Sequence, residues 1–173
     1  MNGRISLWIV LLCSFCLPLA GQKREEAVEV KVEDLEATPI GVSLTLRASD
    51  STDSVHMMIG FPEGQSIARA MHHEKSDRPL THDLFKAFMD RNGWKVQKVL
   101  IRELKEGSFK ADLTLEKDRE TQTYDARPSD AMAIGLRFGA KIYVNPQVFE
   151  EEKKGQREQE NGPEESEPQQ LKL

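Results

Sequence analysis

The sequence predicts an α+β fold: a single domain of mixed, mainly antiparallel strands with about three helices. Three observations carry that expectation. Val28–Glu33 and Val42–Arg47 alternate strictly between apolar and polar residues, the period of strands with one buried face. After Gly60 the apolar spacing becomes helical, and after Gly93 it becomes strand-like again. No internal repeat at a solenoid period competes with this order, and 173 residues suit one domain plus extensions.

The elements follow in turn. Thr38-Pro39-Ile40-Gly41 reads as the loop between the first two strands. The polar run Ser49 to Ser54 turns the chain into a third strand, Val55 to Ile59, so the body opens as an antiparallel meander. Glu63 to Glu74 places Ile67, Ala70 and Met71 on one helical face, with Pro62 near its start. Thr81 is positioned to cap a second helix, whose apolar stripe is Leu84, Phe85, Phe88 and Met89 and which ends at Gly93. Lys95–Leu104 and Ser108–Glu116 are strand-like and joined by a turn at Lys105-Glu106-Gly107. Thr121–Tyr124 adds a short strand. Pro128 then opens a third helix with Gly139 just beyond its end, and Ile142-Tyr143-Val144 is the last strand.

The flanks set the domain limits at residues 27–150. Ahead of them one basic residue, an apolar run from Ile5 to Leu19 and the small residues Ala20 and Gly21 have the layout of a signal peptide over residues 1–21. The run is shorter than the roughly 20 residues of a membrane span, so export to the periplasm or the extracellular space is expected, with no span after cleavage. Both cysteines, Cys13 and Cys16, fall in that segment, which leaves the mature body without disulfide, thiolate or zinc–cysteine chemistry. Beyond Glu150 the chain is Glu, Gln, Lys, Gly and Pro with few apolar residues, so 151–173 is expected to be a disordered acidic tail. The whole chain carries 24 basic and 29 acidic residues, a formal net charge of −5. Such a balance provides no basic excess for gripping a polyphosphate backbone, so any nucleic acid would be held weakly.

Two helix starts hold the polar chemistry. Asp125-Ala126-Arg127-Pro128-Ser129-Asp130 crowds two acids, an arginine and a serine at the mouth of an apolar helix. Helix capping accounts for Pro128, Ser129 and Asp130, since an acid in the first turn is favoured by the helix dipole. Equally, free N–H groups there and Arg127 could form an anion site, with Asp125 and Asp130 flanking it as metal ligands or general base. Arg78-Pro79-Leu80-Thr81-His82-Asp83 repeats the same grammar, and His82 beside a carboxylate is either a surface residue or a general base or ligand. His72 and His73 are adjacent, so they point about 100° apart on a helix and do not chelate together. Glycine-rich phosphate loops, Gly-x-Ser-x-Gly elbows and His-Glu-x-x-His motifs are missing from the sequence.

In order, these segments resemble the bifunctional nuclease domain family. Met58-Ile59-Gly60 followed by Glu63 and Ile67 is similar to its Ile-Gly then Glu-x-x-x-Ile stretch. Arg78-Pro79-Leu80-Thr81-His82-Asp83-Leu84 resembles its Arg-Pro-x-Thr-His-Asp-Leu motif, and Gly107-Ser108-Phe109-Lys110-Ala111 its Gly-x-Phe-x-Ala strand. Asp125 to Ala131 matches its most specific signature, and Ile142-Tyr143-Val144 completes the set. Gly64 departs from the alanine expected after Glu63, and the export signal departs from an intracellular norm. The resemblance implies hydrolysis of DNA and RNA, metal-assisted through magnesium or manganese. It makes His82, Asp83, Arg127 and Asp130 candidate catalytic residues; Arg78, Arg127 and Ser129 candidate substrate contacts; and Glu63, Asp125 and Asp130 candidate metal ligands. The competing expectation is a non-catalytic binding or assembly module of the cell envelope, a homo-oligomer built through exposed helix faces.

Overall fold

The computed structural model of the protein describes residues 26–160. The expected signal peptide, both cysteines and residues 161–173 lie outside the described residues. The elements run β1 (Val28–Thr38), β2 (Gly41–Ala48), β3 (Ser54–Ile59), α1 (Phe61–Met71), α2 (Thr81–Arg91), β4 (Lys95–Lys105), β5 (Ser108–Lys117), β6 (Glu120–Ala126), α3 (Pro128–Arg137), β7 (Lys141–Val144) and α4 (Pro146–Glu160). The fold is α+β, as the alternating and helical periods required. Among the described residues no helix is long and apolar enough to cross a membrane.

All seven strands join one sheet in the order β3-β2-β1-β7-β4-β5-β6. Two antiparallel meanders form its halves, and β7 joins them, antiparallel to β1 and parallel to β4. Tight turns set the register. Pro39-Ile40 closes the β1–β2 hairpin, where Thr38 faces Gly41. Glu106 and Gly107 close β4–β5 with φ of 51° and 74°, the double left-handed turn that matches strand twist. The sheet curls, because the residues just after its two edge strands meet: Glu63, beyond β3, pairs with Arg127, beyond β6, at 2.9 Å.

The core lies on the inner face of this curl. In β2 the buried residues Val42, Leu44, Leu46 and Ala48 alternate with part-exposed ones, as the sequence period demanded. α3 is central, with Pro128, Ser129 and every residue from Ala131 to Gly135 buried, and it packs on α1, α2, β4, β5 and β7. Met132 alone, fully buried, contributes about 1.5–3 kcal/mol. Gly64 now has a reason: a Cβ there would stand 2.7 Å from Val42 Cγ2, so α1 reaches β2 only through a glycine.

Three local expectations are corrected. α1 stops at Met71 rather than Glu74, with His73 in the left-handed region at φ 52°. Thr81 is the first helical residue of α2, not its cap; Leu80 holds the cap position, and its N–H donates to Asp83 Oδ2 at 3.0 Å. A fourth helix is present among the described residues, because α4 extends through residue 160 into the segment expected to be disordered. Val148 and Phe149 join the core, and Glu152 is buried, accepting from the backbone N–H of His56 on edge strand β3 at 2.7 Å. One carboxylate satisfying an edge-strand donor is a tertiary event that composition does not reveal.

The apolar stripe of α2 is the fourth correction. Of Leu84, Phe85, Phe88 and Met89, only Met89 is buried. Leu84 is 59% and Phe88 62% exposed, with Leu80 and Phe85 also exposed. α2 packs on α3 with Met89 buried and His82, Asp83 and Lys86 part-buried beside it, and it turns Leu84, Phe85 and Phe88 outward.

Candidate active site at the sheet seam

The seam where the sheet edges converge collects the starts of three helices. α1 begins two residues after Ile59, the last residue of β3, and brings Glu63 and Ser66; α2 brings His82 and Asp83; α3 follows β6 and brings Arg127, Ser129 and Asp130. Pro128 at the first position of α3 leaves Arg127 extended at φ −66°, ψ 140°, so its side chain turns back over the helix mouth.

The side chains form one chain of contacts. Arg127 Nε donates to Asp130 Oδ2 at 2.6 Å, and its Nη2 donates to Asp130 Oδ1 at 3.1 Å and to Glu63 Oε1 at 2.9 Å. His82 Nε2 lies 3.3 Å from Asp130 Oδ1, and its Nδ1 lies 2.9 Å from Ser66 Oγ. Exposure falls steadily along this chain, from 67% at Arg127 through 29% at Asp130 to 15% at His82 and 3% at Ser66. Asp130 therefore does more than answer the helix dipole, since both its oxygens are bonded, Oδ2 to the cap residue Arg127 and Oδ1 across to His82 on α2.

Ser66 determines how His82 is wired. Its buried hydroxyl has Nδ1 as its one described partner, so the hydroxyl proton has no other described acceptor. Donation to Nδ1 leaves Nε2 as the protonated nitrogen of the neutral ring, facing Asp130. The two bonded carboxylates act on Arg127, whose hydrogen bonds to Asp130 first and to Glu63 after it raise its pKa further above the ordinary value. Nη1 of Arg127 donates to no described protein atom. It is the donor left for an anionic ligand.

Asp83 has another duty. Arg137, at the end of α3, donates to Asp83 Oδ1 at 2.7 Å and to the carbonyls of Ser66 and Ala133 at 3.1 and 2.8 Å. This arginine ties α1, α2 and α3 together. Burial alone would raise the Asp83 pKa, but the hydrogen bonds from Arg137 and the Leu80 N–H outweigh it and hold it below the ordinary value. Ser129 is buried in the first turn of α3, and Arg78 is exposed with no described partner.

Asp125 is placed elsewhere. It pairs with Arg102 at 2.7 Å, and Arg102 also binds Asp112, the residue opposite Asp125 on β5. The two contacts raise the Arg102 pKa, that of Asp125 being the larger. Glu63, Asp125 and Asp130 thus do not assemble, and among the described residues no group of three or more His, Asp or Glu side chains could hold a metal ion. The guanidinium of Arg127 fills the space between Glu63 and Asp130. As arranged, this donor set does not fit a divalent ion.

Residues 44–156 match the model of the bifunctional nuclease domain. The chain belongs to the bifunctional nuclease domain family. The matched span runs from β2 into α4 and so contains every residue of the seam. Two uncharacterized proteins of Mycobacterium tuberculosis, from strains CDC 1551 / Oshkosh and ATCC 25618 / H37Rv, are each 35% identical to this family member over 122 residues, 70% of this chain and 71% of theirs. Two residues of the family member's seam escaped the sequence reading. Ser66 lies three residues after Glu63, next to Ile67 on the predicted inner side of α1, so a polar residue there was a usable signal. Arg137 looked like an ordinary basic residue at a helix end and gave none.

Proposed function

We propose that the seam is the active site of a phosphodiesterase acting on DNA or RNA. The observation that carries this is the exposed Arg127, braced by two carboxylates with Nη1 free, beside the Asp130–His82–Ser66 chain. Nη1 binds a non-bridging phosphate oxygen and stabilises the charge that grows there. Asp130, the more exposed of the proton-handling pair, takes a proton from the attacking water while His82 holds the carboxylate in place. Water adds to phosphorus, one P–O ester bond breaks, and the same proton passes to the departing oxygen. His82 is a positioning residue in this scheme, because both its nitrogens are engaged within the protein. Magnesium or manganese enters only as a condition to vary.

Incubation of the purified protein with plasmid and with single-stranded RNA tests the reading, with chelator, magnesium or manganese and across several pH values. Cleavage that falls at least about a hundredfold in Asp130→Asn, with the circular dichroism unchanged, is expected. Intact substrates under every condition would overturn it. We further propose that the protein acts outside the cytoplasm, supported by the apolar run from Ile5 to Leu19. N-terminal sequencing of protein recovered from the envelope or medium checks this; cytoplasmic protein with an intact N-terminus argues against it.

A second reading is favoured by the fact that every charged group in the seam already has a partner. On that view the seam is a binding module that captures phosphate esters without cleaving them. Substrate binding without turnover, lost in Arg127→Ala, is its signature.

A further inference from the structure

We propose that the outward face of α2 is the interface of a symmetric dimer of this chain. α2 buries only Met89 and exposes Leu80, Leu84, Phe85 and Phe88 on one side. An amphipathic helix normally turns such a stripe inward, and exposed apolar patches mark interaction sites. The candidate site does not use this side, because His82 and Asp83 point toward α1 and α3.

Charge selects the occupant. The segment Asp77–Arg91 carries three acids, Asp77, Asp83 and Asp90, and three bases, Arg78, Lys86 and Arg91. That neutral balance is unlike the lysine- and arginine-rich polar face of a membrane-surface helix. It does suit a second copy. In a two-fold dimer the same patch meets itself, and an axis at Leu84 runs the two helices antiparallel. Leu84 then meets its own copy, and Leu80 lies across from the partner copy's Phe88. Asp77, in the bend just ahead of α2, falls at the end of the pair where the partner copy's Arg91 lies. The Asp77 and Arg91 side chains are exposed and have no hydrogen bond or ion pair to the described residues, so the dimer gives two unpaired charges their partners. The arrangement also opposes the two helix dipoles.

The helix pair is smaller than a standard interface, so association in the micromolar range is expected. Sedimentation velocity on the full chain tests it, with circular dichroism as the fold control. The wild type should dimerise and Leu84→Glu should be monomeric. Asp77→Arg should weaken the dimer about tenfold, since two ion pairs become repulsive at once, and the swap Asp77→Arg with Arg91→Asp should restore it. A wild type that stays monomeric to about 200 µM overturns the proposal. So does a dimer unaffected by Leu84→Glu, which would place the interface elsewhere, or binding of wild-type monomer to lipid vesicles through this face. None of these outcomes depends on nuclease activity.

Discussion

The starts of α2 and α3 are written in nearly the same words, Arg78-Pro79 to Asp83 and Arg127-Pro128 to Asp130, yet the fold employs them in opposite ways. At α3 the arginine and the acid meet each other at the seam, and the acid reaches on to His82. At α2 the arginine points into solvent, while the acid turns inward to Arg137 and the Leu80 N–H. The difference comes from position in the fold. α3 follows the edge strand β6 directly, so Arg127 is delivered to the seam, whereas a nine-residue connection, residues 72–80, lets α2 settle on α3. Similar local sequence therefore yields one reactive mouth and one structural latch.

Four substitutions would break or sharpen this contrast. The largest effect is expected from Arg127→Ala, which should lower phosphodiester cleavage by about a hundredfold or more, while Arg78→Ala keeps wild-type turnover in the same assay. Equal losses in both would mean that the two starts share a substrate role after all. Next is Asp83→Asn, which keeps an acceptor for the Leu80 N–H but loses the ion pair to Arg137. It should cost about 1.5–3 kcal/mol in urea denaturation at neutral pH. Its pH dependence has a definite sign. The folded pKa of Asp83 is depressed, so its contribution is present above the ordinary value of 3.8 and is lost as pH falls through the lower folded value. Wild type and variant should converge in acid, and a gap that persists there would assign the stabilisation to another group. The smallest effect belongs to Asp125→Asn. Arg102 keeps Asp112, so stability should change by less than about 1 kcal/mol with turnover unchanged. A loss of turnover would return Asp125 to the site.

Much of the architecture was legible. Strict alternation marked β1 and β2, Pro128 and Gly139 bracketed α3, and Glu106-Gly107 marked the hairpin turn, because these signals act over a few residues. The family motifs named Glu63, His82, Arg127 and Asp130 as candidates, and it is the fold that brings these four together. Asp125, two residues before Arg127, is still within β6 opposite Asp112, and its side chain pairs with Arg102 on β4, whereas Arg127 lies beyond the strand end at the helix mouth.

By itself the sequence determined the order of elements, the apolar faces of the strands and the family, since period and turn chemistry are local properties. Only the tertiary structure decided which polar residues share a site, that α4 extends through residue 160, and that α2 wears its apolar stripe outside. Those outcomes depend on partners distant along the chain: Glu63 meets Arg127, Ser66 meets His82, and Glu152 meets His56 only because the sheet curls and brings its edges to their partners.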